Sequence, residues 1–301
     1  MHLIAIDWGT SSLRGALLDG KGHVLEERSH PRGILTVPAG GFPGLFEELF
    51  GDWMRPTGSF CLISGMAGSK QGWVEAPYCA CPAGRVEVGR RIIDVDAIPG
   101  ASIAIVPGLN DEHDGVPDVM RGEEVQIFGA MSITGLDDGV FVLPGTHNKW
   151  VTVKKGRVAG FRTYMTGEFY ALLSQHSILA RMLDASAPLD EASFLEGVTC
   201  SENGHGLLHN AFGTRTLALF ERMPKQELSS YLSGLLIGEE LRTQSLQAAG
   251  EVILIGSSAL TQRYALALRA TGVATRTLGA EATWAGLHAL SGFLDTDRTP
   301  T

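Results

Sequence analysis

The sequence predicts an α/β protein with a duplicated architecture, in which two halves each open on a β-meander and continue with alternating helices and strands. Three observations carry this. The stretch LIAIDWGTSSLRGALLDGKGHVLEER, from Leu3, runs strand, Gly-Thr-Ser-Ser turn, strand, glycine turn, strand. Shifted by 136 residues, VFVLPGTHNKWVTVKKG overlays it: Gly9 falls on Gly145, Thr10 on Thr146 and Gly20 on Gly156, and Ile4, Ala5 and Ile6 fall on Val140, Phe141 and Val142. These identities sit in turns, where backbone geometry restricts the choice of residue. Finally, apolar runs of strand length alternate with segments of helical period after each meander.

In chain order, the first meander leads to a helical stretch near 42–54, the strand FCLIS at 60–64, a Gly- and Pro-rich region to about 100, and the strand SIAIVPG at 102–108. A helix over about 122–134 closes the first half. The second meander begins at 140. Helical stretches near 167–183 and 226–247 follow, then the strand EVILIGSS at 251–258, a helix at 259–270, the strand VATRTL and a last helix over about 280–294. A boundary near 136 divides the chain into 1–136 and 137–301.

Composition narrows the function. The 301 residues are 44% hydrophobic and 19% charged, enough for two domains with their own cores. With 24 basic against 33 acidic residues the net charge is −9, and no Lys/Arg run occurs, so nucleic acid and anionic membranes are poor partners. No apolar run approaches the roughly 18 residues of a spanning helix, and the N-terminus has no signal-peptide pattern. Cys61, Cys79, Cys81 and Cys200 form no zinc-type spacing, and reduced thiols in the cytoplasm are the default. His113, His147 and His176 are not spaced as a metal set.

Phosphate oxygens call for a dense set of donors, and a tight turn with absent or short side chains lets backbone N–H groups approach them while hydroxyls add more. Gly9, Thr10, Ser11 and Ser12 form one such turn, and Gly145 with Thr146 opens the other. Asp7 admits two readings: a carboxylate for phosphate-bound Mg²⁺, directly or through its waters, or a cap bonded to its own turn. Leu143 takes the matching place in the second copy, so only the first can offer a carboxylate.

The two Gly-Thr meanders and the late strand ending in Gly256-Ser257-Ser258 resemble the two phosphate motifs and the adenosine motif of the sugar kinase, heat-shock protein and actin superfamily. More narrowly, IAIDWGTSSLR, SGMAGSKQGWVEAPY, VMRGEEVQIFGA, PGTHNKWV, FRTYMTGE and LSGLLIGEE occur in this order across nearly the whole chain and resemble the 2-dehydro-3-deoxygalactonokinase family. The resemblance implies two ribonuclease H-like (actin-like ATPase) domains with the active site in the cleft between them. It further implies a cytoplasmic enzyme that uses ATP and Mg²⁺ to phosphorylate 2-dehydro-3-deoxy-D-galactonate on its 6-hydroxyl, in galactonate catabolism. Composition and spacing alone do not give that substrate. Another hexose, an amino sugar or 2-keto-3-deoxygluconate is the nearer alternative, and a regulatory ATPase the more distant one. The oligomeric state stays open, a homodimer included. A dinucleotide-dependent dehydrogenase is disfavoured because no GxGxxG follows the first strand.

On this reading Thr10, Ser11, Ser12 and Thr146 donate to phosphates. Lys149 either reaches a phosphate or begins a strand and turns to solvent. Gly256 and Ser257 lie against the adenosine, where a helix start favours anions. Ser64, Gly65, Met66, Ser69 and Trp73 belong to the expected acceptor loop, the alternative being a surface loop with Trp73 packed beneath it. The acid's carboxylate calls for an arginine, and Arg121 and Arg162 are candidates against exposed salt bridges. Phosphoryl transfer also requires a base. Glu123, or else Glu124, stands where the superfamily places one, at the start of the helix before the second meander, with Asp111, Asp114 and Asp118 in the preceding loop as rivals. The alternative is that both glutamates only complement the helix dipole.

Overall fold

The computed structural model describes residues 2–55, 59–184, 186–246 and 250–294. The chain forms two compact units. One comprises Met1–Asp138, Val151–Phe161 and Ala280–Thr301; the other comprises Gly139–Trp150 and Arg162–Gly279.

The elements of the first stretch are β1 (Leu3–Trp8), β2 (Leu13–Leu18), β3 (Val24–His30), α1 (Phe42–Met54), β4 (Phe60–Gly65), β5 (Cys79–Ala80), β6 (Ala83–Gly84), α2 (Arg85–Gly89), β7 (Ile93–Asp94), β8 (Ile103–Ile105), β9 (Leu109–His113), β10 (Val116–Met120) and α3 (Glu123–Thr134). Then come β11 (Gly139–Leu143), β12 (Asn148–Lys154), β13 (Arg157–Tyr164), α4 (Thr166–His176), α5 (Glu191–Cys200), α6 (Leu207–Leu219), α7 (Lys225–Leu241), β14 (Glu251–Ile255), α8 (Ser258–Ala270), β15 (Ala274–Leu278) and α9 (Glu281–Ser291).

The duplication is visible in strand order. One sheet runs β3-β2-β1-β4-β8, with β7 at its edge; the other runs β15-β14-β11-β12-β13, with β6 at its edge. In each, the meander's first strand sits mid-sheet, with the meander on one side and two later strands on the other. β1 pairs antiparallel with β2 and parallel with β4, and β11 pairs parallel with β14. Strands flanked on both sides read as continuous apolar runs: Ile4, Ala5 and Ile6 are fully buried, as are Phe141 and Val142.

The first unit's core joins Ile4, Ile6 and Trp8 to the inner face of α1, with Phe42, Phe46, Phe50 and Trp53. The second unit's core centres on α7, which is buried on nearly every side, with Ser229, Ser230, Ser233 and Glu240 among its buried residues. α7 ends at Leu241 rather than near 247, a position outside the described residues. The helix expected over 167–183 is α4 followed by a 3₁₀ turn at Ile178–Arg181. Two further corrections concern elements absent from the sequence reading. α5 and α6 are helices, and 109–120 is not a loop but the hairpin β9-β10, whose turn sets Asp114 at φ 53°.

Candidate functional site

In the first unit, β1 delivers Asp7 to the end of the strand, half-buried. Its carboxylate neither caps its own turn nor stands free. Arg14, its cross-strand partner on β2, donates Nη2 to Asp7 Oδ2. The 9–12 turn is closed by Gly9 N–H to Ser12 C=O at 2.9 Å, and the Gly9 and Thr10 carbonyls accept from Ile34 and Leu35. Thr10, Ser11 and Ser12 are exposed, so their hydroxyls are open to a ligand.

Gly65 and Gly122 bring two further motifs to this place. Gly65 ends β4 at φ 91°, and a Cβ there would lie 2.8 Å from the Trp8 carbonyl and 3.2 Å from Asp7 Oδ1. Gly122 precedes α3 at φ 103°, and a Cβ there would lie 3.2 Å from the Gly65 Cα. Only glycine adopts such φ values cheaply, so the start of α3 can approach the end of β4 beside Asp7.

In the stretch expected to form the acceptor loop, several side chains turn inward. Ser64 is fully buried on β4 and donates to the Ile6 carbonyl at 3.4 Å, so its hydroxyl serves the sheet. Trp73 packs inward, stacked on Phe42 at 6.2 Å and edge-on to Trp8 at 6.1 Å, in keeping with the alternative of packing beneath the loop. Met66 opens a 3₁₀ turn through Gly68, and the buried Ser69 hydroxyl has no hydrogen-bond partner among the described residues.

Arg121 is not an exposed salt bridge. It is 8% exposed, donates Nη2 to the Ala76 carbonyl at 2.8 Å and lies over the Tyr78 ring at 4.4 Å. Among the described residues, its buried Nε and Nη1 have no hydrogen-bond partner. Beside it the two glutamates fold back on the chain. Glu123 accepts the Arg121 N–H at 3.0 Å, and both Glu124 oxygens accept the Gly122 N–H at 2.8–2.9 Å. Glu124 is fully buried, and desolvation, then the Glu123 charge, push its carboxyl up to about 8. Of the rivals, Asp111 accepts the Phe161 N–H at 3.0 Å and pairs with His113, while Asp118 accepts the Val119 N–H. Asp111 thus ties β9 to β13, and Asp118 is bonded within β10.

In the second unit, the Gly145 N–H donates to Asn148 Oδ1 at 2.6 Å and the Thr146 carbonyl accepts from Glu168, leaving the Thr146 side chain exposed. Lys149 is the second residue of β12, but it does not turn to solvent: it is 5% exposed and donates Nζ to Thr163 Oγ1 at 2.8 Å. Arg162 is exposed. Gly256 follows β14 with its N–H on the Leu278 carbonyl, and Ser257 leads into α8 with its side chain exposed. Next to this helix start is a pocket of about 400 Å³ lined by Gly145, Thr146, Thr166, Tyr170, Leu260 and Arg263, among others. It is mostly apolar with a few polar groups, the usual character of a small-molecule site.

A family model described as 2-keto-3-deoxy-galactonokinase matches residues 7–290. The chain belongs to the 2-keto-3-deoxy-galactonokinase family. Among relatives of this kinase family, the 2-dehydro-3-deoxygalactonokinase of Escherichia coli (strain K12) is 34% identical over 291 residues, covering 96% of this chain and 97% of that protein. A crystal structure from Sinorhizobium meliloti, provisionally assigned as a 2-dehydro-3-deoxygalactonokinase, superposes with a TM-score of 0.90 at 34% identity, covering 98% of this chain and all of that one. An activator of 2-hydroxyisocaproyl-CoA dehydratase from Clostridium difficile, with bound ADPNP, overlays at a TM-score of 0.52 and 13% identity, covering 98% and 95% of the two chains. That likeness is of fold alone, and it agrees with the expected pair of ribonuclease H-like, actin-like ATPase domains.

Three residues of this family member escaped the sequence reading. Arg263 and Tyr170 line the pocket, and Glu240 lies buried behind it. The only sequence signal for Glu240 was the motif LSGLLIGEE, where its acidic pair reads as the polar face of a helix.

Proposed function

We propose that the protein transfers the γ-phosphoryl group of ATP to the 6-hydroxyl of 2-dehydro-3-deoxy-D-galactonate, in the cytoplasm, as a step in galactonate breakdown. The observation that carries this reading is the convergence of Asp7, Gly65 and Gly122 at the ends of β1 and β4 and the start of α3, in a chain of this family. Within the second unit, a pocket lies beside the second Gly-Thr turn.

In this reading Thr10, Ser11 and Ser12 donate to phosphate oxygens from one turn and Thr146 from the other. The adenosine occupies the pocket, with Gly256 and Ser257 at its helix start. Among the described residues no group of three or more His, Cys, Asp and Glu is placed to hold a metal. Asp7 would be the chain's oxygen ligand for a phosphate-bound Mg²⁺, an ion that commonly keeps several of its waters. When bound, Mg²⁺ neutralises charge on the phosphate oxygens. The half-buried Glu123 is assigned as the base for the 6-hydroxyl, since Glu124 is sealed against its own helix start. Arg162 is assigned to the acid's carboxylate because it is exposed; Arg121 shapes the acceptor loop through Ala76 and Tyr78.

A coupled ADP-release assay across neutral sugars, amino sugars and 2-keto-3-deoxy acids tests the reading. Turnover should depend on the acceptor and be fastest with 2-dehydro-3-deoxy-D-galactonate. Equal rates with neutral hexoses would remove the role given to Arg162, and ADP release indifferent to every acceptor would point to a regulatory ATPase.

A further inference from the structure

Glu240 of α7 is 3% exposed, and its carboxylate accepts four hydrogen bonds from three other elements. Asn148 donates Nδ2 at 2.8 Å and Tyr264 donates its hydroxyl at 2.7 Å. Trp150 Nε1 and Thr166 Oγ1 also donate, both at close range. Among the described residues no ion pair to Glu240 is present. A buried carboxylate without a cation is expensive unless its lone pairs are filled, and here they are filled by N–H and O–H donors alone.

The donors occupy informative places. Asn148, Thr166 and Tyr264 all line the pocket beside the second Gly-Thr turn. Asn148 has two chemically different ends. With its NH₂ directed to Glu240, its carbonyl oxygen faces the Gly145 N–H, and that 2.6 Å bond closes the turn bearing Thr146. Thr166 is the first residue of α4, and Tyr264 lies on α8. One carboxylate thus holds the turn and two walls of the same pocket.

We propose that Glu240 is a positioning residue for the nucleotide: it touches no ligand, but it fixes the amide sense of Asn148 and with it the Thr146 turn and the pocket walls. This rests on the reading that the pocket receives ATP. Fully satisfied buried networks specify one arrangement, whereas a network with one mismatched member admits several.

The test uses Glu240→Gln, which keeps size and shape but turns an NH₂ toward a set of donors. Kd for ADP, by calorimetry, and KM for ATP should rise at least tenfold, while KM for the acceptor changes less than twofold. Adding Asn148→Asp supplies an acceptor for that NH₂ and still offers an oxygen to the Gly145 N–H. The double variant should therefore bind ADP more tightly than the product of the two single losses. Should Glu240→Gln not fold, Tyr264→Phe removes one donor and should weaken ADP severalfold, against no change for a merely structural role.

Leu260→Trp, which fills the pocket, separates the two readings. If Leu260→Trp weakens ADP while Glu240→Gln lowers only Tm, the positioning role is overturned and the pocket stands. Multiplicative losses in the double variant also overturn it. If neither substitution changes ADP binding, both readings fall.

Discussion

At the scale of single residues, Asp7 and the two glutamates that open α3 are each given a different proposed part. Asp7 lies beside the Gly65 backbone and is balanced by Arg14. Asp7→Asn keeps the shape but removes the charge assigned to Mg²⁺, so turnover should be nearly lost while ADP still binds; near-normal kcat at saturating Mg²⁺ would refute that role. Glu123→Gln should lower kcat by at least about 10²-fold, the lower end for a positioned base, with KM for ATP little changed. A loss of only a few-fold would move the base elsewhere. Glu124 makes a thermodynamic prediction. Its folded carboxyl titrates at about 8 against an ordinary 4.5. Between those values the folded chain holds the proton that the unfolded chain has released, so stability falls as pH rises through this window and levels off above it. Glu124→Gln cannot ionise. Its Tm should gain on the parent's by several degrees between pH 5 and pH 8, and a constant difference would show that Glu124 is ionised when folded. The carboxylate at a strand end and the glycine turns were legible because few residue types suit such places. The fates of Ser64 and Trp73 were not, because a loop's sequence does not tell which side chains turn into the core.

At the scale of elements, the meanders and central strands were legible because each is short, apolar and bounded by turn glycines. α5 and α6 were not. Asp190 does cap α5 by accepting the Ser193 N–H at 2.8 Å, an available start signal, but α5 and α6 are stabilised mainly by packing on α7, which no local period reveals. The hairpin β9-β10 was missed for a related reason: its polar face reads as loop until β5 pairs alongside β9. The contact of α3 with α9 shows how closely such packing is specified. A Cβ on Gly129 would lie 1.7 Å from the Ala282 carbonyl oxygen, so the helices meet backbone to backbone there. Gly129→Ala forces them apart at an expected cost of about 1–3 kcal/mol, as for overpacked cores. Chemical denaturation measures this directly. Unchanged stability would mean that the two helices separate freely.

At the scale of the whole molecule, the duplication suggests that the chain could be divided near 136, but the first unit draws on three stretches of sequence, returning at Val151–Phe161 and again at Ala280–Thr301. The last return matters most. α9 buries Ala282, Trp284, Leu287 and Leu290, and Trp284 Nε1 donates to Glu27 of β3 at 2.6 Å. A fragment of residues 1–136 would expose the apolar partners of those side chains, including the face of α3 around Val125 and Gly129, and would leave the edge of β13 absent. Buried apolar area is the main favourable term in folding, and stability is a small remainder after chain entropy, so the loss of one packed helix is enough to abolish cooperative folding. The fragment should bind a hydrophobic dye and unfold without a sharp transition. A peptide spanning 280–294, supplied in excess, should restore part of the transition by mass action. If the fragment alone melts sharply with its full helix content and ignores the peptide, then the first half folds independently and α9 is an accessory rather than part of its core.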